Sequence, residues 1–313
     1  MNEVPRSDSI IEILYGEKKI LNSIYTKKQI EQEKALAQKI NKLMRREIYN
    51  SSYFETIQNL PQYKPIERAF TCILKCILER ADCFKNIASL NYHLIVTGGL
   101  FLRSDSNGKD VFILLEWPLI KFIDLLNTSV LCAKDFDEYY IDCKSILNAY
   151  RDKFLGKNEY NIFSSLYDKE QFQPTQYQLM QLFQQLQSIF IISHELGHIL
   201  NPNDIGIESE ISADRIALKA VNAYTYNNSK MKVWIIIAIM LLYSYLTLLD
   251  VEMAVNYEEK KKCRENWMIR YDMILDQLQE LSVDPNEQEL IGGYDTLCML
   301  MDKLCLEMIE KSI

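Results

Sequence analysis

Along most of the chain apolar residues recur at helical spacing with polar residues between them, and only two stretches break that rhythm. In residues 10–49 Ile11, Leu14, Ile20, Ile24, Ile30, Ala35, Ile40 and Leu43 are separated by Lys, Glu, Gln and Arg. This pattern predicts an amphipathic helical arm. Residues 53–63, with Pro61 and Pro65 nearby, read as a connector, which divides the chain into an arm (1–60) and a main domain (61–313). Helices are expected over 66–84, 119–133, 137–155, from Pro174 to the Asn201-Pro202 stop, over 208–226, and as closing amphipathic segments over 264–281 and 287–311. The charged run 252–262 between them is expected to be a solvated face.

The first break in the rhythm is residues 91–103 and 111–117, where Leu94, Ile95, Val96, Leu100, Phe101 and Leu102, and then Val111 onward, form strand-favouring runs. Asn107-Gly108 lies between them and signals a hairpin turn. The second is residues 233–249, VWIIIAIMLLYSYLTLL, an apolar run without a charge. A membrane span needs about twenty such residues. The run falls short of that and carries Ser244, Thr247 and two tyrosines, so a central helix buried on all sides is favoured over insertion in an inner membrane. The expected fold class is mainly α with a small antiparallel β-hairpin (α+β), built as a helical core around one chemically distinctive helix.

That helix contains His194-Glu195-Leu196-Gly197-His198, with two of the three histidines in the chain. Residues four apart share a helix face, so the two imidazoles converge on one point and can hold a divalent metal. Zinc is the natural occupant, since it accepts imidazole and in catalytic sites keeps a position open for water. Glu195 flanks that point without having to bind it, where a general base for metal-bound water belongs. A third ligand is needed. Asn201-Pro202-Asn203-Asp204 followed by Gly206 supplies a chain reversal. Beyond it Glu210 and Asp214 stand four apart on a second helix.

Glu210 is the favoured third ligand, with Asp214 placed to accept a hydrogen bond from a ligating histidine and set its tautomer. Asp204, Asp214 and Glu208 remain rivals for the ligand position. Asp204 is one because His198-x-x-Asn201-x-x-Asp204 has metzincin-type spacing. His93, at the start of the first strand run, reads as structural. Gly197 inside the metal helix suggests close approach of another backbone, and Tyr224 or Tyr226 are candidate donors to an oxyanion.

His194-Glu195-x-x-His198 followed by Glu210-x-x-Ala213-Asp214 resembles the gluzincin zinc metallopeptidases whose second helix carries Glu-x-x-Ala-Asp. The short interval between the motifs is similar to that of the phage-exclusion (Lit-type) peptidases and the regulatory peptidases that cleave repressors. The resemblance covers about thirty residues. It implies a zincin-like domain in which Glu210 binds zinc and Asp214 orients a ligand, and a narrow proteolytic role in phage defence or regulation.

Composition restricts the function further. There are 35 Lys and Arg against 43 Asp and Glu, giving a net charge of −8. No basic stripe stands out, so nucleic acid is not an expected partner. The expected partner is a protein or peptide substrate, and the oligomeric state is not legible. The eight cysteines contain no Cys-x-x-Cys pair. Cys72, Cys76 and Cys83 share a helix face and the rest are scattered, so all are read as reduced core residues. With no apolar signal region in the first residues, a cytoplasmic location is expected. The alternatives to a cytoplasmic zinc endopeptidase are a membrane-associated processing peptidase and a non-catalytic regulator with a structural zinc.

Overall fold

The computed structural model describes residues 89–95, 102–107, 110–154, 174–224, 231–279 and 284–312. The arm over 1–60, the helix over 66–84 with Cys72, Cys76 and Cys83, and Tyr226 lie outside the described residues. The described part is mainly α. Its helices are α1 (Trp117–Cys132), α2 (Phe136–Phe154), α3 (Pro174–Leu200), α4 (Gly206–Tyr224), α5 (Lys232–Met253), α6 (Tyr257–Gln279) and α7 (Pro285–Glu310).

Ahead of them the backbone of β1 (Ser89–Ile95), β2 (Leu102–Asn107) and β3 (Asp110–Glu116) is ordered β1-β3-β2. β2 and β3 pair antiparallel with Asn107 opposite Asp110, whereas β1 pairs parallel to β3. The strand run expected over 91–103 is therefore two strands of opposite sense. Gly98 and Gly99 interrupt that run in the sequence, and paired glycines weaken a continuous strand.

Local chemistry accounts for the helix ends. At α7, Asp284 caps the backbone N–H groups of Asn286 and Glu287, the Glu287 carboxylate returns to the Asp284 N–H, and Pro285 occupies the first turn. A reciprocal cap completes two orphan donors together. A related cap begins α6, where the Glu259 N–H donates to Asn256 Oδ1 (3.0 Å) and the Glu259 carboxylate accepts from the N–H of Val255, one residue before the cap (3.0 Å). The charged run after residue 256 forms the first two turns of α6, with Glu258, Glu259, Lys261 and Lys262 exposed as expected of a solvated face, but the helix starts well before the expected residue 264. Asn256-x-x-Glu259 is the sequence signature of that start.

The run 233–249 forms the body of α5, most of whose residues from Val233 to Val251 are buried, with Trp234, Ser244, Leu246 and Thr247 half-buried and Asp250 exposed. It packs against α7, α6, α3, α2 and α1, which cover most of this all-round apolar helix. By length and composition α5 is also able to cross a membrane. A few polar contacts fix how the helices meet this core. Gln187 on α3 donates to the Ala238 carbonyl of α5 (3.1 Å) and exchanges hydrogen bonds with Asn127 of α1. The Trp267 indole N–H of α6 donates to Asp250 of α5 (2.6 Å), and Arg264 forms a two-pronged pair with Asp302 of α7 (2.7 and 2.8 Å).

α3 and α4 are the pair that positions the chemistry. Residues 201–205 join them, with the Asn201 N–H still bonded to the Gly197 carbonyl (3.0 Å) and Gly206 at φ 59°, a left-handed conformation that suits glycine. The crossing point is Gly197. A Cβ there would lie 2.6 Å from the Ala213 Cα and 3.0 Å from its Cβ. Only a glycine facing an alanine lets the two backbones come this close.

Candidate metal centre

Four residues from the two motif helices meet on one side of that crossing. His194 and His198, one turn apart on α3, bring their Nε2 atoms to 3.1 Å from each other, with the rings edge to face. From α4 the Glu210 carboxylate spans both imidazoles, Oε2 lying 3.3 Å from His194 Nε2 and Oε1 3.5 Å from His198 Nε2. Glu195 is buried, and its carboxylate lies with the two imidazoles in a set whose donor atoms are all within 4.8 Å of one another. This group could hold a metal ion.

The donor spacing tests whether a metal fits. Four ligands at about 2.0–2.1 Å around a tetrahedral ion stand about 3.3 Å apart. The three separations among His194, His198 and Glu210 are 3.1, 3.3 and 3.5 Å. Glu195 lies within 4.8 Å of the two imidazoles as well. Asp204 and Glu208 are exposed, on the turn and in the first turn of α4. Asp214 meets His194 at Nδ1, the nitrogen turned away from the shared point. His93 is on β1, and its side chain lies outside the described residues.

Behind the imidazoles is a layer of fixed partners. Asp214, fully buried on α4, accepts from His194 Nδ1 at 2.8 Å, and the Ser209 hydroxyl is 3.0 Å from His198 Nδ1. Such contacts hold the outer nitrogen protonated and aim the inner one at the ligand position. Arg270 of α6 grips Asp214 with Nε (2.7 Å) and Nη2 (2.9 Å) and reaches Glu210 with Nη1 (3.1 Å). Its guanidinium lies 4.0 Å from the centre of the Trp267 ring, a cation–π stack.

Arg270 and Ser209 were not among the residues singled out in the sequence. For Ser209 no signal existed. For Arg270 there was one, because Trp267, Arg270, Ile274 and Leu278 recur at helical spacing and all four are buried. An arginine on the apolar stripe of a helix calls for a buried acid elsewhere in the chain.

These contacts set the protonation states. Burial alone would lower the His194 pKa, but the hydrogen bonds to Asp214 and Glu210 outweigh it and raise the value to about 9. Burial works against ionised Asp214 too, yet His194 and Arg270 hold it at about 2. Burial and the neighbouring His194 charge lower the pKa of His198, and Glu210 is lowered despite its burial by His194 and Arg270. Glu210 and Asp214 as carboxylates, against Arg270 and the protonated His194, leave the paired imidazoles beside negative charge that favours a cation once His194 gives up its proton.

The donors face a cavity of about 900 Å³ between α3, α4, α5 and α6. Its wall beside the motif is apolar, with Phe190, Ile191, Leu246 and Leu249, while Lys262 and Asn266 are polar members of its lining. Tyr224, at the end of α4, is not among the residues that line it.

No protein-family model, curated protein or solved structure matches this chain.

Proposed function

We propose that the protein is a zinc-dependent endopeptidase of the gluzincin kind, acting on a specific intracellular protein. The observation that carries this reading is the set of donor separations, 3.1, 3.3 and 3.5 Å among His194, His198 and Glu210, with Glu195 alongside and Asp214 behind. Imidazole and carboxylate donors in that number and geometry suit zinc with one position left for reaction. The ion would be held by His194, His198 and Glu210. When bound, it supplies a Lewis acid that polarises a scissile carbonyl and makes water acidic enough to attack near neutral pH.

The chain's own residues carry the proton traffic. Glu195 accepts the proton from the attacking water at its carboxylate and passes it to the nitrogen of the leaving amine as the C–N bond breaks. Asp214 keeps the proton on His194 Nδ1 and so keeps Nε2 free to ligate. The apolar wall of Phe190, Ile191, Leu246 and Leu249 limits water around the reacting groups and receives an apolar substrate side chain. β2 is an edge of the small sheet and packs beside α3, which favours docking of an extended substrate by strand addition.

A narrow substrate range in phage defence or stress regulation belongs to the same proposal, as does a cytoplasmic location with α5 as a core helix. Burial of 72% of the apolar window of α5 supports the core role. The membrane-associated alternative rests on the length and apolarity of the same helix.

The test is metal content measured beside proteolysis of cell lysates by wild type, His194→Ala and Glu195→Gln. Zinc close to one per chain in wild type and Glu195→Gln, with cleavage by wild type alone, is the expected outcome. Equal cleavage by all three, or zinc retained by His194→Ala, removes the assignment. Zinc in wild type and Glu195→Gln but not in His194→Ala, without cleavage by any of the three, would favour a structural metal.

A further inference from the structure

We propose that Arg270 is the positioning residue of this centre, a single guanidinium that sets the spacing of both α4 carboxylates against the paired imidazoles of α3. The inference rests on the metal-site reading above and adds a residue from a third helix, outside both motifs.

The contacts close into a ring. Arg270 Nε and Nη2 hold the two oxygens of Asp214, Asp214 Oδ1 holds His194 Nδ1, His194 Nε2 faces Glu210 Oε2, and that same oxygen returns to Arg270 Nη1. Arg270, like His194, touches both the carboxylate facing the imidazoles and the carboxylate behind them, but it does so from a third helix. A guanidinium presents its N–H groups in a rigid planar fork, so fixing Asp214 at two points also fixes where Nη1 meets Glu210. An ammonium in the same place would have the charge without the fork.

The guanidinium is itself held. It lies 4.0 Å over the Trp267 ring centre and 5.7 Å from that of Tyr243. Trp267 is anchored in turn by its hydrogen bond to Asp250 on α5. The orientation of the α4 donors is therefore referred to the α5–α6 contact and not only to the α3–α4 crossing. Arg270 acts through Glu210 and Asp214. Three of its five N–H donors are directed at those carboxylates.

Loss of a partner behind a metal ligand typically weakens metal binding about 10–100-fold. The experiment uses the full-length chain and compares wild type, Arg270→Ala and Arg270→Lys. Zn²⁺ affinity is read by competition with a chromophoric chelator, the coordination by the visible spectrum of the Co²⁺ form, and the fold by far-UV circular dichroism. The expected result is native dichroism in Arg270→Lys with roughly 10–100-fold weaker Zn²⁺ binding and an altered Co²⁺ spectrum. Arg270→Ala should bind as weakly or more so, and millimolar methylguanidinium, entering through the cavity, should restore its binding in part.

Wild-type affinity and an unchanged Co²⁺ spectrum in a folded Arg270→Lys would overturn the inference while leaving the metal centre in place. Unfolding of both variants would overturn it in favour of a purely architectural ion pair. If the wild type binds neither Zn²⁺ nor Co²⁺, the metal-site reading fails and takes this inference with it.

Discussion

Asp214 concentrates the electrostatics of the protein at one atom group. It has no solvent exposure, and it is held near pKa 2 by His194 and Arg270. Breaking a buried ion pair by removing one partner costs about 3–5 kcal/mol, because the other charge is left uncompensated. Asp214→Asn is therefore expected to lower the unfolding free energy by an amount of that order, measured by urea titration of the metal-free protein. An unchanged urea midpoint would show that Arg270 finds another acid.

His194 makes the complementary prediction about pH. Its pKa of about 9 in the metal-free protein means that it is protonated at pH 7, and a ligating imidazole must be neutral. Metal binding at pH 7 should then release close to one proton, and affinity should rise with pH until about 9. Calorimetry in two buffers of different ionisation enthalpy reads the proton directly, and equal heats in both would refute it. Thiols give a control at the same scale. Burial pushes Cys143 and Cys298 up to about 12, while Cys132 and Cys263 are partly exposed. In native protein at pH 8 an alkylating reagent should modify Cys132 and Cys263 and spare Cys143 and Cys298, as peptide mapping would show.

Among the elements, the α3–α4 crossing and α7 treat glycine in opposite ways. An added methyl at Gly197 meets the Ala213 backbone at 2.6 Å, whereas at Gly292 and Gly293 of α7 it meets nothing within 4 Å. Alanine is favoured over glycine inside a helix by about 1 kcal/mol. Overpacking against an unyielding neighbour costs about 1–3 kcal/mol. Gly293→Ala should accordingly raise the melting temperature, and Gly197→Ala should lower it and weaken metal binding, because α4 carries Glu210 and Asp214 away as it yields. Thermal unfolding and metal titration of the two variants side by side check both signs.

The same scale shows where sequence patterns were informative. Helical spacing located α1, α2, α3, α4 and α7 to within about two residues, because each carries a one-sided apolar stripe and clear stop signals. The start of α6 was missed because its first turns are almost all charged, and capping by Asn256 and Glu259, not an apolar stripe, begins it. The parallel partner of β3 was not visible either, since strand direction leaves no mark in a short apolar run.

For the whole molecule, α5 decides how the helices are arranged. Its apolar residues meet helices from both halves of the described chain, so truncating one of them should act like a core cavity. Leu242→Ala is expected to cost about 2–5 kcal/mol in unfolding free energy. If α5 is a core helix, the expressed protein should also appear in the soluble fraction after carbonate extraction of membranes. Retention in the pellet would instead favour the membrane-associated alternative. Two motifs, with Glu210 twelve residues after His198, a helix period and a turn of Asn, Pro and Gly were enough to bring His194, His198, Glu195, Glu210 and Asp214 into view, because those relations are local and follow from 3.6 residues per turn. Arg270 was beyond their reach. It stands fifty-six residues after Asp214, and which acid a buried arginine meets depends on how α6 lies across α5, a matter settled by packing of distant apolar faces and not by any spacing within the chain.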